Sequence, residues 1–264
     1  MHVRTKTICA CLIALLLLCL AVLFLVGKGK GPSEGETRIP DDRMAVQAAA
    51  VLEGRYACLT FDDGPSENTA AILEILARYQ APATFFVTAQ PVNEPYYDQL
   101  PLILAGGHQI ALHSASHRYS EIYQSTTDFW LDIKQLRQVL SSYVDVEDLH
   151  WLRFPGGSTN TVSHRYGGNG IMRDLIAQAE EKGYHWIDWN VCGEDATSAH
   201  PDAQAILENV KEGAAGRDVC VVLLHDTAAT GQTVEALPEI LQWFTDQGYR
   251  FCTVEQMYTM TDGG

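Results

Sequence analysis

Between Tyr56 and Thr253 the chain switches repeatedly between short apolar runs and segments of helical periodicity, and few architectures accommodate that alternation. The short runs are Tyr56–Phe61, Thr84–Val87, Gln109–Leu112, Trp151–Phe154, Trp186–Val191, Val219–Leu224 and Tyr249–Thr253. Between them lie helical stretches at Asn68–Tyr79, Leu100–Ala105, Phe129–Leu140, Ile171–Lys182, Ala203–Val210 and Val234–Gln247. In one of them Phe129, Ile133, Leu136 and Leu140 recur on a single helical face, and Gly183 and Gly248 stop the helices that precede them. Strands alternating with helices pair in parallel, because the helix carries the chain back to the same end of the sheet. The pattern therefore predicts an α/β fold of about seven strand–helix units. A (β/α) barrel is the natural closure, since polar residues cluster just after the strand ends, where barrel enzymes place their active sites.

Ahead of this body, Arg4 and Lys6 precede an uncharged run from Ile8 to Val26, long enough to cross ~30 Å of hydrocarbon as a helix. A cleaved signal peptide usually has a shorter apolar region and a small-residue cleavage site, whereas this run ends Phe24-Leu25-Val26-Gly27-Lys28. The expectation is an N-terminal transmembrane helix over residues 1–27, a membrane anchor or uncleaved signal. A linker with a short helix near Ala45–Leu52 follows over 28–54, and the catalytic domain over 55–264. Basic residues flank both ends of the apolar run, so charge alone does not orient it.

Hydrophobic residues make up 47% of the 264 positions, enough for a sizeable core, and the formal net charge of −15 argues against a nucleic-acid partner. Of the seven Cys, Cys58, Cys192, Cys220 and Cys252 lie in the body. Three of these sit in apolar strand-like runs, which favours buried thiols over disulfides, and none shows the close spacing of a thiolate zinc knuckle.

Five segments at strand ends carry groups capable of chemistry. Leu59-Thr60-Phe61-Asp62-Asp63-Gly64-Pro65 runs a hydrophobic strand into two adjacent carboxylates. Asp-Gly and Gly-Pro are ordinary turn punctuation, but adjacent like charges are costly unless a cation or an arginine offsets them. His113-Ser114-Ala115-Ser116-His117 sets two imidazoles where they can share one ion. Two His and one carboxylate leave open metal positions, a set that also serves non-haem iron oxygenases. In Arg153-Phe154-Pro155-Gly156-Gly157-Ser158, Arg153 can keep a carboxylate ionised while backbone N–H groups near Gly156 face a developing oxyanion. Leu223-Leu224-His225-Asp226 delivers a histidine fit for general acid work, and Gly193-Glu194-Asp195-Ala196 offers a carboxylate to orient it. Taken singly, each of the last two reads equally as a strand-end loop.

The order and context of all five resemble the polysaccharide deacetylase family, carbohydrate esterase family 4, over roughly Tyr56 to Val254. Thr60–Pro65 is similar to the family's first motif and His113–His117 to its second. The resemblance implies a distorted (β/α) barrel with fewer than eight full units, and Asp63, His113 and His117 as ligands of a divalent metal, usually zinc. It implies Asp62 as the base, Arg153 as its partner, His225 as the acid, Asp195 as the acid's partner, and Leu223 lining the pocket for the acetyl methyl. The substrate it implies is an N-acetylated glycan of the cell wall, with peptidoglycan foremost. That places the domain outside the cell on a single-pass membrane anchor. An O-acetyl polysaccharide esterase and a non-catalytic glycan-binding protein are the alternatives. Two positions depart from the family pattern: Gly156 follows Pro155 where an aromatic is common, and Ala196 follows Asp195 where Trp is common. Trp189 and Tyr166 are isolated aromatics expected in the core, and the His at 108, 150, 164, 185 and 200 are expected to be structural or on the surface.

Overall fold

The structure, a computed structural model, describes residues 48–262. The expected membrane helix and most of the linker lie outside these residues. Among the described residues no helix is long and apolar enough to cross a membrane. Residues 48–51, inside the expected short helix, are helical.

Eight parallel strands form one sheet: β1 (Arg55–Asp62), β2 (Ala83–Thr88), β3 (Gln109–Ser114), β4 (Trp151–Leu152), β5 (His185–Trp186), β6 (Val191–Cys192), β7 (Val219–His225) and β8 (Tyr249–Phe251). They run in the order β5-β4-β3-β2-β1-β7-β6, with β8 also paired to β1. Helices at Thr69–Tyr79, Leu100–Ala105, Thr126–Leu140, Ile171–Glu181, Ala203–Ala214 and Gly231–Asp246 connect them. With β5 and β6 taken as one interrupted strand, and a final helix at Val254–Asp262, this is the expected set of about seven strand–helix units.

Strand parity sorts the side chains into two layers. Ala57, Leu59 and Phe61 of β1, Phe85 and Val87 of β2, and Val222 and Leu224 of β7 face outward. There they pack with helix residues such as Ile72, Leu76, Leu136 and Leu237 in the larger core. The alternate residues Tyr56, Cys58, Phe86, Ala111, Val221 and Leu223 face inward and meet Trp151, Trp189 and Met257 in a smaller inner core. Each large apolar side chain so buried contributes on the order of 1.5–3 kcal/mol. The same parity carries Asp62, Arg153 and His225 inward at the carboxyl ends of their runs. Between β2 and β3 the register slips after the Val87–Leu112 pair, so Thr88 meets Ser114 and His113 occupies the bulge. Cys58, Cys192, Cys220 and Cys252 are all buried, and no disulfide joins them to one another among the described residues.

Two features differ from the sequence reading. The expected strand Trp186–Val191 is broken, because its backbone serves other partners. His185 and Ile187 donate to the carbonyls of His150 and Leu152 beside β4, while Asn190 N–H donates to the Val221 carbonyl on β7. The carbonyls of Ile187 and Asp188 between them accept from the Arg153 side chain at 3.2 and 3.0 Å. One bent segment thus passes from one sheet edge to the other where a continuous ladder would close a barrel. The second difference is the terminal helix Val254–Asp262, which carries Val254 and Met257 into the inner core. Its start is a reciprocal cap: Gln256 N–H donates to Thr253 Oγ1 (3.1 Å) and Thr253 N–H to Gln256 Oε1 (2.9 Å). Thr253→Ala is expected to cost about 1 kcal/mol. Urea unfolding should show a lower midpoint with an unchanged slope.

Candidate active site

Asp62 ends β1 directly between Phe86 of β2 and His225 of β7 in strand register. Its Oδ1 accepts from Arg153 Nη1 at 2.8 Å, and the same nitrogen donates to Thr60 Oγ1 at 2.8 Å. Arg153 is 0% exposed, and its guanidinium lies 4.1 Å above the Phe86 ring. Burial pushes the Asp62 carboxyl above its ordinary value, and the Arg153 charge works against that rise.

Asp63 leaves the strand with φ 73, in the left-handed region. The strain, on the order of 1 kcal/mol, is held by its neighbours. Its N–H donates to the Phe86 carbonyl (3.1 Å), and its carbonyl accepts from Thr88 Oγ1 (3.0 Å) and Asn93 Nδ2 (2.9 Å). The turn points the Asp63 carboxylate at two imidazoles: Oδ1 stands 3.7 Å from His113 Nε2 and 3.4 Å from His117 Nε2. That Oδ1 is buried and accepts no hydrogen bond among the described residues. His113 Nδ1 lies 2.8 Å from the Arg153 carbonyl. A carbonyl only accepts, so Nδ1 carries the proton and Nε2 presents a lone pair to the cluster. Burial, with His117 nearby, lowers the His113 pKa to about 3, so the ring is neutral at physiological pH. His117, also left-handed at φ 54, is held by its N–H to Ser114 Oγ at 2.8 Å. Asp63, His113 and His117 together form a group whose ligand atoms all lie within 4.8 Å of one another. A buried oxygen without a donor, facing the His113 lone pair with His117 Nε2 beside it, fits a divalent cation such as zinc.

On β7, His225 Nδ1 donates to Asp195 Oδ1 and His225 N–H to Asp195 Oδ2, both at 2.8 Å, while Thr233 Oγ1 donates to Oδ2 at 2.7 Å. Burial alone would lower the His225 pKa, but Asp195, with Asp63 and Asp62 beyond it, raises it to about 9. Burial would raise Asp195; the His225 charge and these donors outweigh it and hold the carboxyl below its ordinary value. Leu223, two residues back on the same inward face, is 3% exposed. Gly156 and Gly157 follow with φ 77 and 83, a pair of left-handed positions suited to glycine.

The profile of the family described as "Polysaccharide deacetylase" matches residues 50–169. A peptidoglycan-N-acetylglucosamine deacetylase of Bacillus cereus is 32% identical over 206 residues, covering 77% of this chain and 88% of that protein. This chain belongs to the polysaccharide deacetylase family. The solved catalytic domain of peptidoglycan N-acetylglucosamine deacetylase from Eubacterium rectale is similar in fold, with a TM-score of 0.72 at 35% identity. The likeness covers 77% of this chain and 91% of that one. A bifunctional xylanase/deacetylase of Pseudobutyrivibrio xylanivorans is 30% identical over 206 residues, and the chain spans 31% of that protein's length.

All nine residues singled out from the sequence lie in this deacetylase-family domain at or beside the carboxyl ends of its strands. Four buried polar residues that support them escaped that reading. Asp132 accepts from Ser114 Oγ (2.7 Å) and from the N–H groups of Ala115 (2.7 Å) and Ser116 (3.0 Å), bracing the loop to His117. Asp188 accepts from both the amide and the hydroxyl of Ser158, fixing the loop of Gly156, and burial raises its pKa. Asp226 accepts from Ser66 Oγ and Thr69 Oγ1, both at 2.6 Å, behind the Asp63 turn, and burial raises it too. Asn93 joins Asp63 to Pro65 by donating to both carbonyls. Of the two isolated aromatics, Trp189 is core as expected, but Tyr166 is 42% exposed, because the short helix His164–Gly167 buries none of its side chains.

The pair His225–Asp195 gives a pH signature. The folded pKa of His225 is raised from 6.5 to about 9, so its stabilisation is complete below pH 6.5 and lost as pH rises through 9. The unfolding free-energy difference between wild type and His225→Gln is expected to be widest near pH 6 and to shrink steadily to pH 9.5. Denaturant titrations across that range measure it.

Proposed function

We propose that this domain removes N-acetyl groups from a cell-wall aminosugar polymer, with peptidoglycan the leading substrate. The observation that carries the reading is the cross-strand pair Asp62 and His225, one held by a buried arginine and the other by a buried aspartate. Such a pair supplies a base and an acid side by side, with the Asp63–His113–His117 cluster beside them.

A divalent cation, zinc in this reading, held by Asp63, His113 and His117 would act as Lewis acid on the acetyl carbonyl and activate a water. Asp62 takes a proton from the attacking water as the water oxygen bonds to the carbonyl carbon. Arg153 holds the carboxylate in place and balances its charge. The N–H of Gly156, which makes no hydrogen bond among the described residues, donates to the developing oxyanion. Leu223 meets the acetyl methyl group. His225, protonated at neutral pH, gives its proton to the amine nitrogen as the C–N bond breaks, leaving acetate and a free amino sugar.

The likeness to a xylanase/deacetylase supports a second reading, hydrolysis of O-acetyl esters by the same groups. The built proton donor favours the amide, because an alkoxide leaves without prior protonation far more readily than an amide nitrogen does. Asp62→Asn is expected to lower kcat for acetate release by about 10²–10⁴ on either substrate. His225→Ala should slow N-acetylated glycans much more than O-acetylated xylan; equal loss on both would favour the ester reading. Chelation should abolish acetate release and zinc should restore it.

In the same reading the domain works outside the cytoplasm, carried by a single-pass anchor within residues 1–27. A reporter enzyme fused after Gly264 should be active only outside the cytoplasm, as judged by exported and cytoplasmic reporters compared in parallel.

A further inference from the structure

Gly156 stands where the family commonly carries an aromatic, and the structure shows what fills the space. A Cβ at Gly156 would lie 2.5 Å from the hydroxyl of Tyr119 and 3.2 Å from its ring. Tyr119 comes from a different loop: it opens the short helix Tyr119–Ile122, two residues after His117. Its ring meets the His117 ring edge to face at 5.7 Å and the Tyr123 ring at 5.5 Å. Tyr123 in turn donates to the Pro155 carbonyl at 2.7 Å, so the aromatic ladder is tied to the Pro155–Gly156 loop from below. On the opposite side of that loop Gly157 lies against Trp189 and Asp188, where a Cβ would approach to 3.2 and 3.3 Å. The double glycine is therefore squeezed between an inner wall and Tyr119.

The Tyr119 hydroxyl makes no hydrogen bond among the described residues, although the side chain is half-buried between the His117 imidazole and the Gly156 backbone. The hydroxyl is not among the enclosed, unpartnered side-chain atoms of the described residues, so it is open to water or to a bound sugar. It stands beside the amide that the proposed mechanism aims at the acetyl oxygen. We propose that Tyr119, whose hydroxyl occupies the space beside Gly156, is a substrate-binding residue that hydrogen-bonds the acetylated sugar. This inference rests on the deacetylase reading above. The contact is to the sugar that bears the acetyl group, because the hydroxyl lies beside the Gly156 amide assigned to the acetyl oxygen.

The substitution Tyr119→Phe keeps the ring against His117 and Tyr123 and removes the hydroxyl alone. With zinc-loaded protein and N-acetylglucosamine oligomers, KM is expected to rise about fivefold with kcat within a factor of about two, the mark of a contact made equally before and during reaction. The same oligomers titrated calorimetrically into Asp62→Asn and Asp62→Asn/Tyr119→Phe should show the same loss of affinity without turnover. Unchanged KM and unchanged affinity would overturn the proposal. So would a loss explained by lower zinc content, which would make Tyr119 only a prop for His117. Wild-type protein that binds the oligomers but releases no acetate would instead count against the deacetylase reading, and the binding arm would still decide the role of Tyr119.

Discussion

A guanidinium can be enclosed in a protein interior only if its donors and its charge are both matched, and Arg153 meets that demand by drawing on three parts of the fold. It donates to Thr60 and Asp62 of β1 and to the carbonyls of Ile187 and Asp188 in the segment between β5 and β6. The Phe86 ring covers its face. Removing one partner of such a buried pair typically costs about 3–5 kcal/mol, since the other charge is stranded. The same arrangement explains why the sheet fails to close as a regular barrel. Two carbonyls that a continuous strand through β5 and β6 would offer to its neighbours are committed to Arg153. The backbone of Arg153 extends its reach further, because its carbonyl sets the His113 tautomer. One side chain and its own peptide group thus position Asp62 and one arm of the Asp63–His113–His117 cluster.

Around that centre the structure stores strain at two of the three cluster residues. Asp63 and His117 both have left-handed backbones without being glycine, and each is pinned by polar groups buried behind it. Thr88 and Asn93 hold the Asp63 turn from β2 and the loop after it. Asp132, on the helix outside β3, and Ser114, at the end of β3, hold the His117 loop. The cost is local and the support comes from separate elements, which is how a constellation is kept within tenths of an ångström of one geometry.

What could be read from the sequence follows from this division of labour. Residues at strand ends were legible, because alternation alone says that Asp62 and His225 share the face of Tyr56, Cys58 and Val221. The braces were not. Asp132 lies on the face of Phe129, Ile133 and Leu136, so a carboxylate inside an apolar stripe was the only signal, and it named no partner. Asp188 sat inside an apolar run that read as strand. The run breaks there because tertiary hydrogen bonds to Arg153 and β7 outweigh local propensity. The cap at Thr253 and Gln256 was present as a four-residue pattern, but the strand beside it masked the helix it begins.

The charges of the site argue for a cation more directly than the motif does. Asp62 is matched by Arg153, and Asp195 by His225 and Thr233. Asp63 has no such match: its Oδ1 accepts nothing, and the two imidazoles nearest it cannot both serve as donors. The proton of His113 is committed to the Arg153 carbonyl on its far side, leaving a lone pair where a donor would be needed. A carboxylate oxygen facing a lone pair at 3.7 Å is repelled in an interior that screens poorly. Protonating His113 would relieve the repulsion, but burial opposes it. A divalent ion held by Asp63, His113 and His117 would replace that repulsion with attraction to both groups. The strained turns at Asp63 and His117 would find their compensation in the same place, which ties the local backbone geometry to the electrostatics of the site.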